Sequence, residues 1–373
     1  MSPQPSCSPR ARRSAPRLAA AAIAAWLVLA ASQAAGAQAT RFDVDSVRGP
    51  TTTLDFTARE GTWMSVDVAP DGRTVVFDLL GHLYEMPITG GDATPLTRGR
   101  SFNHLPRYSP DGRSILFTSD RSGKEELWLL HRGTDSLEQV SRFDVRAYQG
   151  SWSRDGKAMY VSTQDLGARG AAYRIDRLGS RTQLTLNGVF NNPTHFSEHP
   201  TNSKVYFSEP GGPIYQRGLI IRTYDLRSGE LATYLERPGG AGDPVVSPDG
   251  KWLAYVHRED LASVLVLHDL SSQRERTLHL LDRDRMESGS GTTFGIYSNF
   301  SWTPDSKAIV VAWGGALHAV SIDSGAVRDI PFRAPVKRVL AETIKFPVPI
   351  PTSGKGRSRA SRWGERTAQG VLF

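Results

Sequence analysis

Tyr108-Ser109-Pro110-Asp111-Gly112-Arg113-Ser114-Ile115-Leu116-Phe117-Thr118-Ser119-Asp120 reads as strand, tight turn, strand. Proline presets the first turn position, while Asp111 and Gly112 supply a side-chain cap and a permissive φ. Ile115, Leu116 and Phe117 then form an apolar run suited to a buried strand. Alone this is a hairpin, but the chain repeats it. Val66-Asp67-Val68-Ala69-Pro70-Asp71-Gly72 leads into Val75-Val76-Phe77. Ser151-Trp152-Ser153-Arg154-Asp155-Gly156 leads into Met159-Tyr160-Val161. A degenerate copy, His199-Pro200-Thr201-Asn202, leads into Val205-Tyr206-Phe207. Val246 to Gly250 leads into Trp252-Leu253-Ala254-Tyr255, and Ser301 to Ser306 into Ile309-Val310-Val311. The proline position falls at 70, 110, 154 (arginine there), 200, 248 and 304.

Each copy continues alike. A third apolar strand follows, such as Leu127-Trp128-Leu129-Leu130 or Val264-Leu265-Val266-Leu267. A polar turn and a more polar fourth strand, such as Val327-Arg328-Asp329-Ile330, end the unit. Four strands in each repeat of about 40–50 residues is the signature of a β-propeller. The inner strands read as continuous apolar runs because both faces are covered, and the outermost turns polar where it meets water. The expected fold is therefore all-β, a β-propeller of four-stranded blades, with six recognisable blades plus the start of another. A β-sandwich does not suit six copies of one turn motif.

The ends of the chain differ from its middle. Of the net charge of +7, residues 1–40 carry +4 and residues 338–373 carry +5, which leaves the middle at −2. A folded domain without a basic balance argues against nucleic-acid binding. Residues 1–39 read as a secretory signal peptide: arginines precede the apolar run Leu18 to Ala31, and small-x-small sites follow at Ala35-Gly36-Ala37 and Ala37-Gln38-Ala39. The alternative is an uncleaved anchor. Cys7, the only cysteine, precedes the apolar run, so the mature chain has no thiol chemistry and no lipid-bearing cysteine. With the signal cleaved, no membrane segment is expected, and the location is periplasmic or secreted. Residues 40–337 are assigned to the propeller. Residues 338–373 are assigned to a proline-rich connection, Phe346-Pro347-Val348-Pro349-Ile350-Pro351, and to an incomplete further blade around Trp363 to Phe373. A sequence that stops inside a core strand implies an unfinished ring within a longer protein. Thr51 to Thr57 reads as a strand that belongs to a further blade or lies as an extra edge.

The repeats resemble the TolB-type (WD40-like) propeller repeat, with Ser109-Pro110-Asp111-Gly112-Arg113 as its turn and Phe117-Thr118-Ser119-Asp120-Arg121 in register behind it. The resemblance covers about residues 58–337. Glu60-Gly61-Thr62-Trp63-Met64-Ser65-Val66-Asp67-Val68, with Phe77-Asp78-Leu79-Leu80-Gly81, is similar to the N-terminal propeller of secreted bacterial proteins that carry a metal-dependent amidohydrolase domain downstream. That resemblance puts the metal ligands in the downstream barrel, so none falls on this chain and no cofactor is expected in it.

The chain itself offers little chemistry. His195-Phe196-Ser197-Glu198-His199 matches the His-x-x-Glu-His pattern of one zinc peptidase class. That pattern needs a helix, whereas Pro193 and Pro200 flank this segment and the repeat places it on a strand. No Gly-x-Ser-x-Gly elbow occurs, and Ser288 to Thr293 is a flexible loop by composition. The turn aspartates are caps rather than ligands. Residues expected to line the central channel and bind a ligand are Asn103, His104 and Arg107; Tyr148 and Gln149; His195; Asp243; and Ser298 and Asn299. Trp152 and Trp302 are expected to pack between blades. The functional expectation is an exported propeller, non-catalytic by itself, that is a scaffold or substrate-gating module of a larger amidohydrolase-like hydrolase. Its partner is then the downstream catalytic domain. The alternatives are a stand-alone TolB-like module that binds an envelope protein or peptide, and the propeller of a serine peptidase.

Overall fold

The computed structural model describes residues 44–46, 49–165, 169–177, 179–185, 188–189, 193–211, 218–260, 262–282, 299–342, 365–367 and 370–372. The signal segment, Cys7, Ser298, the Ser288 to Thr293 loop, the proline-rich connection and Trp363 lie outside them.

Six four-stranded antiparallel meanders follow one another in chain order. Blade two shows the plan: Asn103–Tyr108 innermost, then Ser114–Ser119, Glu126–His131 and, outermost, Ser136–Gln139. Ser114–Ser119 is buried along its whole length, whereas Ser136–Leu137-Glu138 is exposed. Continuous apolar runs thus mark strands covered on both faces, as expected. Blade three adds a short fifth strand, Gly188–Val189, beside Arg169–Asp176.

The turn motif builds the hairpin and also ties it to its neighbour. Asp111 Oδ1 accepts the Arg113 N–H (3.0 Å) and the Ser109 hydroxyl (2.6 Å), and Ser109 Oγ accepts the Ser114 N–H. The same bonds recur at Asp155, Asp249 and Asp305. In the degenerate turn Asn202 caps the Lys204 N–H, and the His199 ring replaces the serine by accepting the Thr201 and Asn202 N–H groups. Each turn glycine has positive φ, +67° at Gly112 and +73° at Gly250. Its bare face lies against the proline of the preceding blade: a Cβ on Gly112 would stand 3.7 Å from Pro70, and one on Gly156 would stand 3.5 Å from Pro110.

Blade six meets blade one by the same contact, with Gly72 lying against Pro304. The Val66 N–H also donates to the Asn299 carbonyl (3.1 Å), and one apolar core holds Val310, Leu317 and Ile330 together with Val66, Phe77 and Tyr84. Among the described residues, blade six thus packs directly on blade one. The last strands, Glu365–Thr367 and Gly370–Leu372, pair with each other.

Thr51–Ala58 is the extra edge rather than part of a blade. It pairs along eight residues with Phe332–Ala341, which touches blade one by a short parallel pairing at Gly91 and Asp92. The expected boundary at residue 337 therefore falls inside a strand. Ala334 and Val336 bury this ribbon's inner face, and the Tyr84 hydroxyl donates to the Pro335 carbonyl (3.1 Å). Arg338 Nη1 lies 3.2 Å from His82 Nε2. Burial and the adjacent Arg338 guanidinium push His82 down to about 4, so the imidazole is neutral and accepts that bond at neutral pH.

Gly112→Ala should cost about 1–2 kcal/mol, the penalty for a Cβ at positive φ, since Pro70 is at ordinary contact distance. Gly250→Ala should cost more, because its Cβ would stand 2.7 Å from Pro200 and 3.0 Å from the His199 ring. Urea midpoints of the two variants check the order.

Candidate functional site

The innermost strands line the channel, and their geometry repeats with the turn. Five residues before the turn position stand Ser65, Leu105, Gln149, His195, Asp243 and Asn299. Leu105, Gln149, His195 and Asp243 all have φ between +54° and +57°, and a register shift interrupts each of their strands at that point. These are β-bulges, which re-aim side chains and free a backbone N–H. At three of the four, the preceding blade captures that N–H with the residue eight positions after its own turn. Asp78 Oδ2 accepts from Leu105 (2.7 Å), Thr118 Oγ1 from Gln149 (3.2 Å) and Ser208 Oγ from Asp243 (2.8 Å). Asp78 Oδ1 also accepts the Ser65 N–H (2.9 Å).

The bulges bring Gln149, His195 and Asp243 together from three successive blades. His195 Nδ1 lies 2.8 Å from Asp243 Oδ1, and its Nε2 lies 2.6 Å from the Gln149 amide nitrogen. Both side chains of the His195–Asp243 pair are at most 1% exposed. Nε2 accepts from the amide in the tautomer that carries its proton on Nδ1. The imidazole thus lies between the Asp243 carboxylate and the Gln149 amide, with Nε2 in the hydrogen bond to the amide.

The other expected channel residues divide by position. Arg107 faces the turn-side mouth, where its guanidinium meets Asp67 Oδ1 (3.3 Å) and the Phe300 carbonyl (3.1 Å), joining blades two, one and six. Asp67 also accepts the Tyr108 N–H (2.7 Å), and burial raises its pKa against the pull of Arg107. His104 and Tyr148 lie on the far side of the bulge. His104 Nε2 stands 3.3 Å from Glu125, which also pairs with Arg146, and the Arg146 guanidinium stacks over the Tyr148 ring. Burial pushes Glu125 up, but His104 and Arg146 outweigh it and hold it below its ordinary value. Asn103 is not a channel group: it is fully buried, donates to the Gly81 and Ser101 carbonyls and accepts from Ser119 and Arg121. Asn299 is 2% exposed, and its contact with blade one runs through its backbone carbonyl. Trp152 and Trp302 do pack between blades, with indole N–H groups donating to the Arg107 and Val245 carbonyls of the preceding blade. The His195-to-His199 segment is a strand running into a turn, with His199 Nε2 on the Gly250 carbonyl (3.1 Å).

At the turn-side mouth is a half-open cavity of ≈ 370 Å³, bordered by Asp67, Arg107, Ser151, His195, Ser197 and Ser301. Arg154 stands on its rim. The Arg154 N–H donates to Glu198 Oε2 (3.2 Å), a bond that a proline there would forbid, and its guanidinium reaches the Pro248 carbonyl (2.8 Å) two blades away. Reading channel residues near the bulge overlooked Arg154, Glu198 and the three serines. The signal for Arg154 was in view, because it is the one arginine among the turn prolines. Among the described residues no cluster of His, Cys, Asp and Glu could hold a metal ion.

Residues 52–217 match the family described as the TolB beta propeller domain. The match covers under half of the chain and agrees with the β-propeller fold seen here. The TolB of Acinetobacter baumannii superposes with a TM-score of 0.55 at 17% identity, over 73% of this chain and 65% of that one. A putative TolB of Agrobacterium tumefaciens gives 0.53 at 19% identity, over 76% of this chain and 100% of that one. These likenesses concern the fold. An uncharacterized peptidase of Bacillus subtilis, YuxL, is 27% identical over 170 residues, which are 45% of this chain and only 23% of that protein.

Three predictions concern the buried carboxylates and the turn caps. Asp78 is raised to about 6 by burial, against 3.8 unperturbed, so the folded chain holds an extra proton between about pH 4 and pH 6. Stability should fall as pH rises through that window, by about 2–3 kcal/mol, and Asp78→Asn should flatten the slope. Asp111 and Asp155 work in the opposite sense. The Ser109 hydroxyl lowers Asp111 and the Lys157 N–H lowers Asp155, so their contribution is present above pH 4 and lost below it. Denaturation midpoints from pH 3 to 8 read both. Arg107→Ala should cost about 3–5 kcal/mol, since it leaves buried Asp67 without its partner, as thermal or urea unfolding would report.

Proposed function

We propose that this propeller is an exported, non-catalytic binding module, the scaffold or substrate gate of a larger hydrolase. The observation that carries this reading is the turn-side mouth. It is a concave, polar, half-open site in which Arg107 and Asp67 face serine hydroxyls from other blades. Its histidine, His195, stands between Asp243 and Gln149, and among the described residues no hydrogen bond joins it to a serine hydroxyl of the mouth. Such a lining suits reversible capture of an extended polar chain through several weak bonds.

The length relation supports a larger protein: the chain matches less than a quarter of a peptidase's length. The metal-dependent amidohydrolase rests on the Glu60-to-Gly81 resemblance. The periplasmic or secreted location rests on the reading of residues 1–39. A second reading, a stand-alone TolB-like module binding an envelope protein or peptide, is favoured by the A. tumefaciens putative TolB, whose whole length is covered.

The purified protein should hydrolyse neither amide nor ester substrates, with or without added zinc or manganese. Metal-dependent turnover that co-purifies with residues 40–373 would overturn the non-catalytic reading. Arg154→Glu reverses a charge on the exposed rim, and should change affinity for the captured chain at least tenfold without moving the melting temperature. Pull-down and titration with the hydrolase domain, or with envelope extracts, distinguish the two readings.

A further inference from the structure

The ribbon of Thr51–Ala58 and Phe332–Ala341 carries an edge that no described strand covers. Its sheet runs in the order Thr51–Ala58, Phe332–Ala341, Gly91–Asp92, so Thr51–Ala58 is outermost. All but the last of its residues are exposed, Leu54 at 40% and Phe56 at 45% among them. Proteins blunt such an edge with lysine, proline or a bulge. Thr51–Ala58 contains no lysine and no proline, and its register against Phe332–Ala341 is unbroken.

The ladder shows which backbone groups this edge presents. The Glu342 N–H donates to the Pro50 carbonyl (3.0 Å), one step beyond the Thr51–Ala341 pair. Directions alternate along a strand, so Thr52, Leu54 and Phe56 also turn their N–H and C=O toward Phe332–Ala341. Thr51, Thr53, Asp55 and Thr57 turn theirs to the open edge.

One arrangement meets all of these groups. Let a second copy of the strand lie antiparallel across a two-fold axis at Leu54. Thr53 then exchanges both backbone bonds with Asp55 of the second copy, and Thr51 does so with its Thr57. Leu54 stands on its own symmetry mate and Phe56 on Thr52, which joins the exposed apolar groups on one face. The adjacent two-fold registers are poorer. An axis at Thr53 leaves Thr57 unpaired, and an axis at Asp55 sets two carboxylates directly opposite.

We propose that Thr51–Ala58 is a homodimerisation strand, which joins two copies of this chain through one continuous sheet across an isologous interface. The occupant is a second copy because the strand is complementary to itself in hydrogen bonds, apolar contacts and charge. Arg338, opposite Leu54 in the ribbon, meets His82 at the end of blade one away from the Asp71 turn, so the pairing leaves the turn-side mouth open.

Sedimentation velocity of the whole purified chain at micromolar concentrations should show a reversible monomer–dimer equilibrium. Thr53→Pro removes an N–H that the ribbon does not use, so it should abolish the dimer and leave the melting temperature of the dilute monomer unchanged. In a Cys7→Ser background, Leu54→Cys should form an intermolecular disulfide on mild oxidation. A residue on the axis faces its own mate at the non-hydrogen-bonded spacing, about 4.5 Å between Cα atoms. Phe56→Cys faces Thr52 instead and should cross-link at least tenfold more slowly. Four results would each overturn the proposal: a monomer throughout, whether or not another segment or protein takes up the edge; species larger than a dimer; a dimer unmoved by Thr53→Pro; or cross-linking as fast with Phe56→Cys as with Leu54→Cys.

Discussion

The fit of blade on blade turns on a single backbone N–H, at Leu105, Gln149 and Asp243. Where the innermost strand passes the channel it bulges, one residue enters the left-handed region, and its N–H leaves the strand ladder. That donor would be buried and unpaired if the neighbouring blade did not reach across with Asp78, Thr118 or Ser208. The cost of an unmet buried donor, about 1–3 kcal/mol, thus fixes how one blade sits against the next. The proline-on-glycine contact at the turns sets the same spacing at the rim.

The same bulge explains the channel interior. A left-handed residue turns its side chain out of the regular alternation, so Gln149, His195 and Asp243 converge although they belong to three blades. Gln149 and His195 hydrogen-bond each other, and Asp243 stands 2.8 Å from the far imidazole nitrogen. The polar groups that border the mouth lie two residues nearer the turn, at Arg107, Ser151, Ser197 and Ser301.

Much of this was legible before any coordinates. The Ser-Pro-Asp-Gly turn and the apolar run behind it carry local information, since capping bonds and strand burial are decided within a dozen residues. All six blades follow from them. Ring closure was not legible, because it depends on Pro304 meeting Gly72 across more than two hundred residues. The candidate site was half legible. His195 and Asp243 were placed at the channel, but nothing in their spacing shows that a bulge joins them. Asn103 looked like a channel residue because its strand is innermost, yet its side chain turns back to the Gly81 and Ser101 carbonyls.

The ribbon of Thr51–Ala58 and Phe332–Ala341 has a mechanical consequence. Its strands run antiparallel, and the Glu342 N–H still bonds the Pro50 carbonyl at its tip, so the chain enters and leaves the ring at one point. A pull between those two ends would load the eight pairs one at a time, like a zipper, rather than all together in shear. The ribbon is thus the mechanically soft part of an otherwise stiff wheel, able to peel under tension while the six blades stay closed.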